Sequence, residues 1–155
     1  MAQQNYLTPE GKEELQRELT ILVNVRRQEL AAKLKDAVSQ GDLKENADYH
    51  DAKEQQAFVE GRIQYIESVL RTATIISNEG NSDRVRVGSA VTIRDQGVDE
   101  DETYLIVGPA EANPREGKIS NESPIGSALL GHKKGDKVRV MTPSGEMLLV
   151  IRLVK

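Results

Sequence analysis

The sequence predicts an α+β protein of two domains, an N-terminal antiparallel α-helical coiled-coil hairpin followed by a small α+β domain. Three observations carry this reading. Apolar residues recur at helical spacing up to Ala73, and from Ala90 onward the runs become short and β-rich. Between them Ser77-Asn78-Glu79-Gly80-Asn81-Ser82-Asp83 is polar and contains glycine, the composition of a linker. The boundaries follow as a hairpin over 1–76, a linker over 77–83 and a globular domain over 84–155.

The first helix opens at Thr8-Pro9-Glu10, with Thr8 as N-cap, Pro9 at the first helical position and Glu13 and Glu14 near the positive end of the dipole. Leu15, Leu19 and Leu22 step along one face, and the stripe resumes at Leu30, Leu34 and Ala37 or Val38. It breaks phase at Arg26-Arg27, as a stutter does, and Gly41 ends the helix. From Tyr49 a second helix places Ala52, Gln56, Val59, Ile63, Ile66, Leu70 and Ala73 in an a/d pattern. Two such stripes joined by a short turn imply helices packed antiparallel.

Strands are predicted over 90–94, 103–107, 137–141 and 147–154, the last two joined by the turn Thr142-Pro143-Ser144-Gly145. Ser123-Pro124 begins a short helix through Leu130, which Gly131 ends.

Composition excludes several chemistries. The chain of 155 residues has no cysteine, which removes disulfides, thiol nucleophiles and cysteine-ligated metals. Two separated histidines leave little for a Ser-His-Asp or histidine-rich zinc site. Four Tyr and one Phe are too few for a base-stacking platform. Met1-Ala2-Gln3-Gln4 is not a basic-then-apolar leader and no long apolar run occurs, so a soluble, cytoplasmic chain is expected. The net charge of -4 argues against a general duplex-DNA binder. All the excess is local: residues 36–54 carry Asp36, Asp42, Glu45, Asp48, Asp51 and Glu54 against Lys44 and Lys53.

That acidic stretch is the turn between the helices. Asp42 followed three residues later by Glu45 matches a capping box, in which each side chain satisfies the other's free backbone amide. The competing reading is chemical. Leu43 stands between the two acids at the exposed end of a hairpin, and the crowded carboxylates repel one another with no local partner. Magnesium takes oxygen ligands, often one or two carboxylates with phosphate and water completing the octahedron. Two acids alone would hold it poorly, so a partner would supply the remaining ligands.

Gly41-Asp42-Leu43-Lys44-Glu45-Asn46-Ala47-Asp48-Tyr49-His50, with Glu54-Gln55-Gln56 and Glu60-Gly61-Arg62-Ile63, closely resembles the tip and second helix of the Gre family of bacterial transcript-cleavage factors. Leu7-Thr8-Pro9-Glu10-Gly11, Ser123-Pro124-Ile125-Gly126, Leu129-Leu130-Gly131-His132-Lys133-Lys134-Gly135-Asp136 and Thr142-Pro143-Ser144-Gly145-Glu146 extend the resemblance over the whole chain. The resemblance implies a C-terminal domain similar to FK506-binding proteins. It implies a factor that enters the secondary channel of RNA polymerase in backtracked complexes and stimulates the polymerase to cleave the nascent RNA 3′ segment, without activity alone. The family's two acidic tip residues fall on Asp42 and Glu45, which would share a Mg²⁺ ion with the polymerase, supported by Leu43, Lys44, Asn46 and Tyr49. Asp42 would help hold a second metal of a two-metal site and Glu45 would orient or deprotonate the attacking water.

Arg26, Arg27, Lys33 and Lys35, with Lys53 and Arg62 across the hairpin, form either a basic patch guiding RNA by its phosphates or a solvated face laced by ion pairs. Val38-Ser39-Gln40, just before the tip, carries no positive charge, which favours rescue of short backtracks. Tyr104 is the second domain's one aromatic, so prolyl isomerase activity is not expected from fold alone. His50 and His132 read as solvated, and the protein as a monomer. Two other readings compete: a channel-plugging inhibitor of the same fold, and a passive coiled-coil adaptor or chaperone.

Overall fold

The computed structural model describes residues 5–76 and 83–155. Of the expected linker only Asp83 is among them; residues 77–82 lie outside the described residues. Packing divides the chain otherwise than at residue 76. One unit joins the N-terminal segment through Gly11 to Ala73–Lys155, and the other is Lys12–Thr72.

In the helical unit, α1 (Pro9–Ile21) passes through a π-helical turn (Leu22–Arg26) into α2 (Arg27–Ser39), and α3 (Ala47–Thr72) returns antiparallel. The break in the apolar stripe is absorbed by this wider turn, in which the Arg27 amide donates to the Leu22 carbonyl. The extra residue returns Leu30 to the seam, where it is buried with Val59 and Ile63 against Leu19, Leu22 and Val23. Ala37 and Ala52 are buried farther along. Of the two residues offered for the seam, Ala37 is buried and Val38 is exposed. On α3 the expected a/d series holds through Ile66 and then moves to Val69 rather than Leu70. At about 100° per residue Leu70 lies on the same face as Ala52 and Val69 roughly 100° away from it, so near its end α3 buries a different face. The helix starts two residues earlier than Tyr49, at Ala47.

The other unit holds a five-stranded sheet in the order β5 (Lys118–Ser120), β4 (Asp101–Val107), β3 (Ala90–Asp95), β7 (Gly145–Val154), β6 (Lys137–Thr142). All neighbours are antiparallel except β4 and β5. Its inward residues, among them Val91, Ile93, Ile106, Val138, Val140, Leu149 and Ile151, form the core with Leu129 of α4 (Pro124–Leu129). Ser123 caps α4 by accepting from the Gly126 amide at 3.0 Å. Four strands and this helix match the sequence reading within a few residues; β5 and the 3₁₀ turn Pro114–Glu116 do not appear in it. Three-residue elements are too short to show a period.

The sequence also leaves out a parallel pair, β1 (Tyr6–Leu7) with β2 (Thr74–Ile75), which ties the chain start to this unit. There the Thr8 hydroxyl accepts from the Gly11 amide at 3.0 Å, the expected cap of α1, and donates to the Glu111 carboxylate at 2.5 Å. Glu111 also accepts from the Thr8 amide at 3.1 Å. This satisfies an otherwise costly buried carboxylate. Two glycines permit the approach. A methyl group at Gly11 would collide with the Glu111 carboxylate, and one at Gly108 with the Tyr6 carbonyl oxygen.

Gly61 is the opposite case, a mid-helix glycine on α3 with open space where a side chain would project. Gly61→Ala is therefore expected to stabilise the protein by about 0.5–1 kcal/mol. Gly108→Ala, against rigid backbone, is expected to destabilise it by about 1–3 kcal/mol. Urea denaturation followed by circular dichroism checks both signs.

Candidate functional site

The loop 41–46 closes the hairpin, and Gly41 leaves α2 with φ 127°, a backbone region glycine enters readily. The capping box is not what the loop contains. Asn46, not Asp42, caps α3: its side-chain oxygen accepts from the Tyr49 amide at 3.1 Å. Its side-chain nitrogen donates to the Ala37 carbonyl at 2.5 Å. One side-chain amide thus tethers the last turn of α2, whose Ala37 carbonyl also accepts from the Gln40 amide at 3.2 Å, and satisfies an orphan amide at the start of α3. Asparagine manages this because its side chain both donates and accepts, which a carboxylate cannot.

Capping by Asn46 leaves the two acids available. Asp42 is exposed, and one of its oxygens accepts from the Lys44 amide at 3.0 Å. Glu45 is exposed and, among the described residues, has no hydrogen-bond or ion-pair partner. Leu43 is 41% exposed between them. Lys44 is exposed, with its carbonyl 3.3 Å from the His50 ring nitrogen Nε2. Tyr49 is half-buried and stands edge-on to the His50 ring, centroids 5.6 Å apart. The structure therefore brings together Asp42, Leu43, Lys44, Glu45, Asn46 and Tyr49 in one loop and helix start. It adds His50, exposed as the sequence reading expects, whose ring nitrogen reaches the Lys44 carbonyl. Side chains in a helix lean toward its N-terminus, so a histidine in the first turn of α3 lies over the preceding loop. His132 likewise has a partner, Asp136, at 3.2 Å.

Three of the six cationic residues are engaged in ion pairs. Arg27 forms a bidentate bridge to Glu60 at 2.7 and 2.9 Å, and Arg62 one to Glu18 at 2.8 and 2.9 Å, both across the hairpin. Arg26 pairs with Glu29 at 2.9 Å. Lys33 lines a hollow with Asp36, Asp48 and Asp51. Lys35 and Lys53 are exposed. Binding RNA phosphates with Arg27 or Arg62 would require breaking a cross-helix bridge, as the ion-paired reading of this face expects for these two residues. The Arg62 hydrogen bond is the main cause holding the Glu18 carboxyl below its ordinary range, and Arg27 acts likewise on Glu60.

Two measurements follow. Asn46→Ala is expected to destabilise the hairpin by about 1–2 kcal/mol and Asp42→Ala by no more than about 0.5 kcal/mol, as read by thermal unfolding; a capping box at Asp42 would reverse the order. The depressed pKa of Glu18 means that its bridge stabilises the fold above the ordinary glutamate range and loses this as pH falls through the folded-state value. A double-mutant cycle on Glu18 and Arg62 is expected to give no more than about 1 kcal/mol at neutral pH, since both groups are substantially solvated and screened, less in high salt, and nothing once Glu18 is protonated.

Comparisons with known proteins agree along the whole chain. The family model described as "Transcription elongation factor, N-terminal" matches residues 5–75, and that described as "Transcription elongation factor, GreA/GreB, C-term" matches residues 80–155. The chain is 51% identical over 150 residues to transcription elongation factor GreA of Geobacillus kaustophilus (strain HTA426), covering 96% of this chain and 95% of that protein. It is 53% identical over 147 residues to transcription elongation factor GreA of Roseiflexus sp. (strain RS-1), covering 94% of each. Among solved structures, GreA factor homolog 1 (Gfh1) of Thermus thermophilus is 32% identical, with 99% of both chains covered and a TM-score of 0.45. No helix among the described residues is long and apolar enough to cross a membrane. With both family models matched in order and half the residues shared with curated relatives, the chain belongs to the GreA/GreB family of transcription elongation factors.

Proposed function

We propose that this elongation factor acts on RNA polymerase as a transcript-cleavage factor, its hairpin entering the secondary channel of a backtracked complex. The observation that carries the reading is the division of labour in the tip: Asn46 closes both helices, and Asp42 and Glu45 remain exposed on a loop of defined conformation. A hairpin that needed both acids for its own stability would bury or pair both, whereas only one Asp42 oxygen is engaged, by the Lys44 amide.

Two carboxylates with oxygen donors suit a hard divalent ion, but among the described residues no three His, Cys, Asp or Glu side chains converge on one point. Asp42 and Glu45 would therefore share Mg²⁺ with ligands supplied by the polymerase. That ion would supply an activated water and neutralise charge developing on the phosphodiester. Asp42 turns one oxygen back to the Lys44 amide, which fixes the carboxylate and leaves its second oxygen to ligate. Glu45, without a partner in the free protein, is placed to orient the attacking water or accept its proton. Leu43 would pack against the channel wall. The factor is thus an accessory that completes another protein's active centre, and the sheet domain serves to dock it.

The test is a gel of halted polymerase carrying end-labelled RNA, with Mg²⁺, with and without the factor. Shortened RNA is expected with the factor, and intact RNA when the factor is incubated with RNA alone. Blocked extension without shortening would mark a channel-plugging inhibitor, and no change a passive adaptor. Asp42→Asn and Glu45→Gln keep size and hydrogen-bonding capacity while removing charge, so each is expected to abolish stimulated cleavage with helicity unchanged. Cleavage at the normal rate by either variant overturns the assigned roles.

A further inference from the structure

The loop that carries the two acids is short and irregular, and the Lys44 peptide units at its centre are held from both sides. The Lys44 amide donates to the Asp42 carboxylate at 3.0 Å. The Lys44 carbonyl lies 3.3 Å from His50 Nε2. A carbonyl only accepts, so this contact is a hydrogen bond when Nε2 carries the proton. His50 itself is anchored, since its backbone amide donates to the Asn46 carbonyl at 3.1 Å in the first turn of α3 and its ring packs edge-on against Tyr49. The 44–45 peptide includes the carbonyl that His50 holds and leads directly into Glu45. The 43–44 peptide includes the amide that orients Asp42. Fixing Lys44 on both sides therefore fixes the Asp42 carboxylate and the backbone position from which the Glu45 side chain projects.

We infer that His50 is a positioning residue for the acidic tip: its Nε2–H staples the Lys44 carbonyl to the first turn of α3 and so presets the geometry in which Asp42 and Glu45 meet a shared metal. This rests on the cleavage reading above and adds to it a residue that touches neither metal nor RNA. Preorganisation has a specific kinetic consequence. A flexible tip would still reach the active centre but would hold productive geometry less often, so the saturated rate falls while the factor's affinity does not.

Two variants separate the staple from the ring. Glutamine places an amide N–H near the position of Nε2, and leucine fills similar space with no donor. In the free protein, hydrogen exchange at the Lys44 amide is expected to quicken about tenfold in His50→Leu and to remain near wild type in His50→Gln, with the same far-ultraviolet circular dichroism for all three. With halted polymerase, His50→Leu is expected to lower the saturated cleavage rate about tenfold and to raise the Mg²⁺ concentration for half-maximal rate, without changing the half-saturating factor concentration. His50→Gln is expected to restore both values. The inference fails if His50→Leu matches wild type in either assay, if it changes factor affinity alone, or if His50→Gln is as impaired as His50→Leu. The exchange measurement needs no polymerase, so it tests the staple even if the wild-type factor proves not to stimulate cleavage; that outcome would instead remove the functional reading and the kinetic role drawn from it.

Discussion

A single side-chain amide, that of Asn46, ties the two ends of the hairpin turn together. A helix that stops leaves carbonyls without donors, and one that starts leaves amides without acceptors. Asn46 accepts from the Tyr49 amide at the start of α3 and donates to the Ala37 carbonyl at the end of α2, which the Gln40 amide also reaches at 3.2 Å. Because the two helices are closed by a neutral residue, none of the acids around them is needed for closure. A carboxylate in the same place would serve only the amide side and would face the carbonyl of Ala37 with a second acceptor. The exposed pair Asp42 and Glu45 is thus a consequence of where the cap sits.

Along the body of the hairpin the same economy applies to register. The apolar residues of the first helix cannot all face α3 in an unbroken 3.6-residue helix, and one π-helical turn restores the phase so that Leu30 reaches Val59 and Ile63. On either side of this turn, a bidentate arginine bridge spans the two helices, Glu18 to Arg62 before it and Arg27 to Glu60 after it. Such exposed bridges contribute little to stability. Their fork geometry is more directional than apolar contact, and it selects one register among those that a thin seam of Leu, Val, Ile and Ala would tolerate.

Much of the architecture was legible because long amphipathic helices and alternating strands advertise their period. Thr8 and Ser123 were readable as caps since each precedes a proline at a first helical position, and both do cap. The tip shows where local reading stops. Asp42 and Glu45 have the spacing of a capping box, yet the spacing fits equally well with a helix starting at Asn46, and only the position of Ala37 across the turn makes asparagine the better choice. Among the basic residues, charge is visible in sequence, but the cross-helix bridges that engage Arg27 and Arg62 are not. Glu111 gave no signal at all: its partner Thr8 lies 103 residues away, and nothing near either residue marks the pair.

The sequence by itself determined the helices of the hairpin, four of the strands, the family and which residues form the acidic tip, since each is written in short-range periodicity or in a contiguous motif. Tertiary structure alone decided which residue caps the tip, which cations are neutralised, that His50 bonds to the Lys44 carbonyl, and that the first residues pair with Thr74–Ile75. The physical reason is range. Periodicity and capping preferences act within a few residues, whereas a hydrogen bond between distant segments exists only after the chain has brought them together, and its partners carry no mark of one another beforehand.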